Sequence, residues 1–144
     1  MAGYRNILCA VDFTAHSEKV GRRALEFAAP GARLTFMHVV EFLPIALDNE
    51  VLLPPSTDLE TQLLEQARKR LDDYIALLGS PVCERNVALG ATKLELLSIA
   101  ESLQVDLIVV GSHGRHGLAR ILGSTANAVL HGAPCDVLAV RLAE

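Results

Sequence analysis

Four short runs of nearly uninterrupted apolar residues restrict this chain more than any other feature: RNILCAV at 5–11, RLTFMHVV at 33–40, DLIVVG at 106–111 and DVLAVR at 136–141. Each has the length of a strand, is rich in Val, Ile and Leu, and lacks the polar alternation of a half-exposed strand. Such runs are expected where a sheet is covered on both faces. A fifth run, VCERNVAL at 82–89, alternates more and is expected nearer an edge.

Helical patterns fall between the runs. From about Ser17 to Ala29, the residues Val20, Ala24, Phe27 and Ala28 recur on one stripe. From about Asp58 to Leu78 the stripe is Leu59, Leu63, Ala67, Leu71, Tyr74, Ile75 and Leu78, with Thr57-x-x-Glu60 as a capping box and Gly79 and Pro81 at the end. A second box, Thr92-x-x-Glu95, opens a helix carrying Leu96, Ile99, Ala100 and Leu103. The last helix runs from about Ser124 to His131, with Gly132 and Pro134 beyond. The order is therefore β-α-β-α-β-α-β-α-β. With right-handed crossovers, it predicts the α/β class: an open, doubly wound parallel sheet of five strands with helices on both faces. The 144 residues suffice for one full-sized core, so residues 1–144 are expected to form a single domain. The connection Glu41–Ser56, with Pro44, Pro54 and Pro55, is longer than ordinary, and is either functional or a surface excursion.

Composition excludes several functions. The net charge of −4 comes without a basic block, and aromatic residues make up only 4%, so neither a phosphate-backbone footprint nor stacking platforms for nucleic acid are expected. No apolar run is long enough to cross a bilayer, and the first residues read as a core strand rather than a signal peptide. No membrane insertion and a cytoplasmic location are expected. Cys9, Cys83 and Cys135 are odd in number and widely spaced, which fits reduced thiols.

The candidate site is GSHGRHGLARILGST, which leaves the fourth strand at Gly111 and enters the last helix at Gly123, Ser124 and Thr125. In open parallel sheets, ligands bind beyond the carboxyl ends of the strands, where the strand order reverses. Gly111 and Gly114 are expected to let the backbone turn and aim N–H groups inward. The helix start after Gly123 is expected to favour an anion, with Ser124 and Thr125 adding hydroxyl donors. Together these parts predict a phosphate cradle, although neither G-x-x-x-x-G-K-[ST] nor G-x-G-x-x-G is present. The plainer alternative is a glycine-punctuated connection with Ser124 as an ordinary N-cap.

AVDFT after the first strand, MHVVE at the second, DLIVVGSHGRHGL and GSTANAVLHGAPCDVLAV together resemble the universal stress protein family over essentially the whole chain. The resemblance implies the strand order 3-2-1-4-5, a homodimer, a cytoplasmic setting and binding of an adenine nucleotide, ATP, ADP or AMP, with Mg possible alongside ATP. It places Asp12, beside Ala10, near ribose or adenine, the backbone of Val39 against adenine, and Val110 just before the first glycine. Gly111, Gly114, Gly123, Ser124 and Thr125 match the phosphate group, while His113 and Arg115 of the same loop read as phosphate-facing or solvent-facing groups. The family pattern has nine residues between the second and third of these glycines. Here eight separate Gly114 from Gly123, which predicts weaker hold on the outer phosphates.

Other chemistries fit less well. His113, His116, His131 and Cys135 form no tight metal-ligand pattern, and no metal is expected. Ser17 and Ser112 lack a His–Asp partner pattern, and His38 reads as a hydrogen-bonded structural residue. The expected role is a binding or regulatory module, with a slow nucleotide hydrolase or transferase as the alternative. The apolar last strand, 136–141, is expected at a sheet edge, where pairing with a second copy would cover it. Proline at Leu138 is the disruption this reading selects.

Overall fold

In a computed structural model of the chain, residues 3–41, 57–112 and 123–142 are described. The elements are β1 (Tyr4–Ala10), α1 (Ser17–Phe27), β2 (Ala28–Val40), α2 (Thr57–Leu77), β3 (Glu84–Leu89), α3 (Thr92–Leu103), β4 (Leu107–Gly111), α4 (Ser124–Gly132) and β5 (Asp136–Val140). All neighbouring strands are parallel, in the order β3-β2-β1-β4-β5. The chain winds outward from β1 to β3, then crosses back to β4 and β5. Strand order therefore reverses between β1 and β4.

Alternate residues of the central strands enter two separate cores. Ile7, Cys9, Phe36 and Val109 pack beneath α1 and α2 with Val20, Ala24, Leu71, Tyr74 and Ile75. Leu8, Met37, Val39, Ile108 and Val110 pack beneath α3 and α4 with Leu96, Ala100, Ala126 and Val129. Burial on both faces explains why the central strands lack polar alternation. β3 lies at an edge, as its alternating sequence predicts.

Three local expectations change. α1 ends at Phe27 rather than Ala29, and β2 begins at once at Ala28. Pro30 favours extended backbone at Ala29, and Gly31 at φ 76 absorbs the register shift between the Tyr4–Ala28 and Asn6–Arg33 pairs. Phe27 accordingly stays partly exposed, and the buried face of α1 is Ser17, Val20, Gly21 and Ala24. The second capping box does not form. Ala91 is the N-cap residue and makes no side-chain bond, so Thr92 lies one position too far into α3. The Thr92 N–H donates to the Glu41 carboxylate at 3.4 Å. α2 begins at Thr57, but that side chain and the Glu41–Ser56 connection beyond Glu41 fall outside the described residues.

One contact between helices fixes the layer over the first core. The Tyr74 hydroxyl donates to Ser17 O at 2.6 Å and accepts from Gly21 N at 2.9 Å. It stands between a donor and an acceptor four residues apart in α1, groups that ordinarily bond each other within a helix. A Cβ at Gly21 would collide with this hydroxyl and come 2.7 Å from Leu78 Cδ1.

Candidate functional site

The carboxyl ends of β1, β2 and β4 bring several expected residues together. Ala10, Val39 and Val110 lie on one face of the sheet, in the core beneath α3 and α4. Val39 and Val110 are 6% and 2% exposed, whereas Ala10 is half-buried. Val110 pairs with Ala139 and Gly111 with Val140, so β4 is hydrogen-bonded to β5 up to the last residue before the glycine loop.

Gly111 makes room rather than a turn. It is not among the glycines with positive φ, but a Cβ there would stand 2.8 Å from Leu142 Cδ1 and 3.5 Å from Val20 Cγ2. The missing side chain lets the residues after β5 pack over the strand end. Leu142 is buried there, and its N–H donates to Ser112 Oγ at 3.4 Å.

The two ends of the glycine loop are bonded to each other. Ser112 N donates to Val140 O at 2.8 Å, and Gly123 N donates to Ser112 O at 2.6 Å. This fixes the start of α4 beside the end of β4. It also commits the Gly123 N–H, which is therefore not a free donor for an anion. Gly123, at φ −62 and ψ 156, is the N-cap residue, so Ser124 is not. The first bond of the helix runs from Asn127 N to Gly123 O at 2.8 Å. The N–H groups of Ser124, Thr125 and Ala126 consequently have no acceptor within α4. Ser124 is exposed and Thr125 half-buried. His113, Gly114 and Arg115 lie outside the described residues.

Asp12 follows β1 and is exposed. Its Oδ1 accepts from Thr14 N at 3.1 Å and from Thr14 Oγ1 at 2.8 Å, closing an Asx turn. Both bonds fall on one carboxylate oxygen. Neither of them uses Oδ2.

The opposite face of the sheet holds contacts that the sequence does not mark. His38 Nδ1 donates to Val11 O at 2.6 Å. The His38 ring lies 4.3 Å from the Phe13 ring, and the Arg70 guanidinium carbon lies 4.4 Å from the Phe13 ring centre. Phe13 adopts φ 58, an uncommon conformation for a bulky residue. Nothing in residue type signals that dihedral. The histidine was legible as a structural residue, but its partners were not.

Burial pushes the His38 imidazole below its ordinary value; the Val11 carbonyl opposes this, Arg70 adds to it, and Asp12 opposes it. A lowered folded value means that the unfolded chain binds the proton more readily. The stabilisation is complete above about pH 6.5 and is lost as pH falls through the folded value. Melting temperature is expected to decline between about pH 7 and pH 5, with a shallower decline in His38→Phe. Equal slopes in the two proteins would remove His38 from that dependence. Burial also raises the thiols of Cys9, Cys83 and Cys135, which disfavours the reactive thiolate. No described helix is long and apolar enough to cross a membrane.

Residues 3–141 match the model of the universal stress protein family. The chain is 42% identical over 142 residues to Universal stress protein A homolog 1 of Coxiella burnetii, covering 98% of this chain and 99% of that one. It is 32% identical over 140 residues to a universal stress protein of Thermus aquaticus, covering 96% and 99% of the two chains. Among solved structures, the universal stress protein UspA of Lactobacillus plantarum superimposes with a TM-score of 0.73 at 26% identity, over 98% of this chain and 100% of that one. A universal stress protein in complex with cAMP superimposes with a TM-score of 0.63 at 24% identity, over 99% and 100%. Match length, identity and strand order agree: the chain belongs to the universal stress protein family.

Proposed function

We propose that this protein is an adenine-nucleotide-binding module that acts by binding rather than by turnover. The observation that carries the reading is the reversal of strand order between β1 and β4, at the end of the sheet where α4 begins. In open parallel sheets this position is where ligands bind. The strand ends at Val39 and Val110 can border a base through their backbone, both side chains being buried in the core beneath α3 and α4, and the Asp12 carboxylate can accept from a ribose hydroxyl. The helix start at Ser124, Thr125 and Ala126 presents N–H groups and a positive dipole end suited to phosphate. Gly111, Gly114, His113 and Arg115 complete the proposed site, with Gly123 serving as the hinge to Ser112 rather than as a donor. The family relative in complex with cAMP holds an adenine nucleotide on the same fold.

The proposed ligand is AMP, ADP or ATP, with Mg entering on the phosphates of ATP. The proposed assembly is a cytoplasmic homodimer paired through β5. Calorimetric titration with the three nucleotides tests the site. The eight residues between Gly114 and Gly123 lead us to expect comparable affinities, and Asp12→Ala is expected to weaken each about tenfold or more. A steep rise in affinity from AMP to ATP would show that the shorter loop holds the outer phosphates. Undiminished affinity with a lower melting temperature would leave Asp12 as a turn residue alone.

A further inference from the structure

We propose that His38, Phe13 and Arg70 form a positioning device on the far side of the sheet that holds the Asp12 carboxylate toward the nucleotide. The inference rests on the nucleotide reading of the site and names residues outside it. Asp12 is exposed and, among the described residues, its carboxylate accepts from Thr14, two residues away, so these contacts do not anchor it to the sheet. Its orientation depends on the residues at either side.

Both neighbours are held from β2 and α2. Val11 N donates to Met37 O at 2.8 Å, and Val11 O accepts from His38 Nδ1 at 2.6 Å. The two polar groups of Val11 are therefore tied to consecutive residues of β2. A carbonyl only accepts, so Nδ1 carries the proton and the neutral ring presents Nε2 as its unprotonated nitrogen. Phe13 stands at φ 58, which a bulky side chain adopts only when its surroundings impose it. Those surroundings are the His38 ring at 4.3 Å, the Arg70 guanidinium at 4.4 Å and the edge of Tyr74 at 6.4 Å. The same imidazole thus bonds the residue before Asp12 and packs at a 41° tilt against the residue after it. Freeing either neighbour would let the turn relax and the carboxylate swing.

Three variants separate the contributions. His38→Phe keeps an aromatic ring and loses the donor, His38→Asn keeps a donor and loses the ring, and His38→Ala loses both. Ile75→Val, in the fully buried core beneath α2, serves as a control that lowers stability while keeping His38, Phe13 and Asp12 themselves in place. Two quantities are read: AMP and ATP affinity by calorimetry, and exchange of the Thr14 amide, whose N–H is held by Asp12, by NMR. His38→Ala is expected to weaken both nucleotides about tenfold and to speed Thr14 exchange by a similar factor. Each of the other His38 variants should recover part of both effects, and Ile75→Val should change neither. His38 variants that match the control in affinity and in Thr14 exchange would overturn the proposal. If the unmodified protein binds neither nucleotide, the ligand reading fails separately. Thr14 exchange still decides in that case: acceleration in His38→Ala retains the device, and unchanged exchange removes it.

Discussion

Phe36→Ala, at the largest fully buried side chain among the described residues, is expected to lower the free energy of unfolding by about 3–5 kcal/mol. Phe36 has no exposure and occupies the middle of β2, opposite Cys9 on β1 and Arg85 on β3. Its ring meets Tyr74 edge-on, with centroids 5.9 Å apart at 68°. The substitution removes that aromatic pair and leaves a cavity. Hydrogen-bonded strands on both sides limit how far the backbone can close it, and Tyr74 is pinned through its hydroxyl to Ser17 and Gly21. Against a total stability of roughly 5–15 kcal/mol for a domain, a loss of this size is severe. Urea unfolding should show a lower midpoint with an unchanged slope. Phe36→Leu keeps most of the volume and should cost about 1–1.5 kcal/mol. A loss below about 1 kcal/mol for the alanine variant would mean that the site collapses freely, against the packing described.

The second large effect concerns assembly. If the chain pairs through β5 as proposed, Ala139→Pro is expected to raise the dimer dissociation constant at least about thirtyfold while leaving the fold intact. Val140 O accepts from Ser112 N, so the polar groups of Val140 point toward β4. Direction alternates along a strand, which turns Asp136, Leu138 and Val140 inward and Val137 and Ala139 toward the open edge. In a two-fold pairing, a proline at position 139 occurs in both copies. Each occurrence removes a ladder donor and leaves an acceptor unpaired, at about 1–3 kcal/mol each. Leu138→Pro, the choice suggested by sequence, instead attacks the β4–β5 ladder, because Leu138 faces Val109 across it. That variant should unfold rather than dissociate. Sedimentation of Ala139→Pro separates the cases: a dimer of unchanged strength would place the interface elsewhere on the molecule.

The residue pattern by itself determined the element order, the five strands, the burial of β1, β2 and β4 on both faces, and the edge position of β3. These are legible because side chains alternate across a strand and recur along one face of a helix, so local periodicity records which faces exclude water. The strand order and the nucleotide residues came from resemblance, through AVDFT and the glycine stretch, and the structure bears out the order. Only the tertiary structure decided why Gly111 is glycine, where the Gly123 N–H goes, and which of Leu138 and Ala139 faces the open edge. It also decided that Thr92 misses the N-cap of α3 by one residue, and that His38 bonds Val11 while packing against Phe13. Each of those facts depends on a partner distant in sequence or on a backbone dihedral set by one: Leu142 against Gly111, Ser112 against Gly123, Arg70 against Phe13. Periodicity states that a side chain is covered. It carries no information about which atom covers it, because that pairing is fixed only when the elements dock.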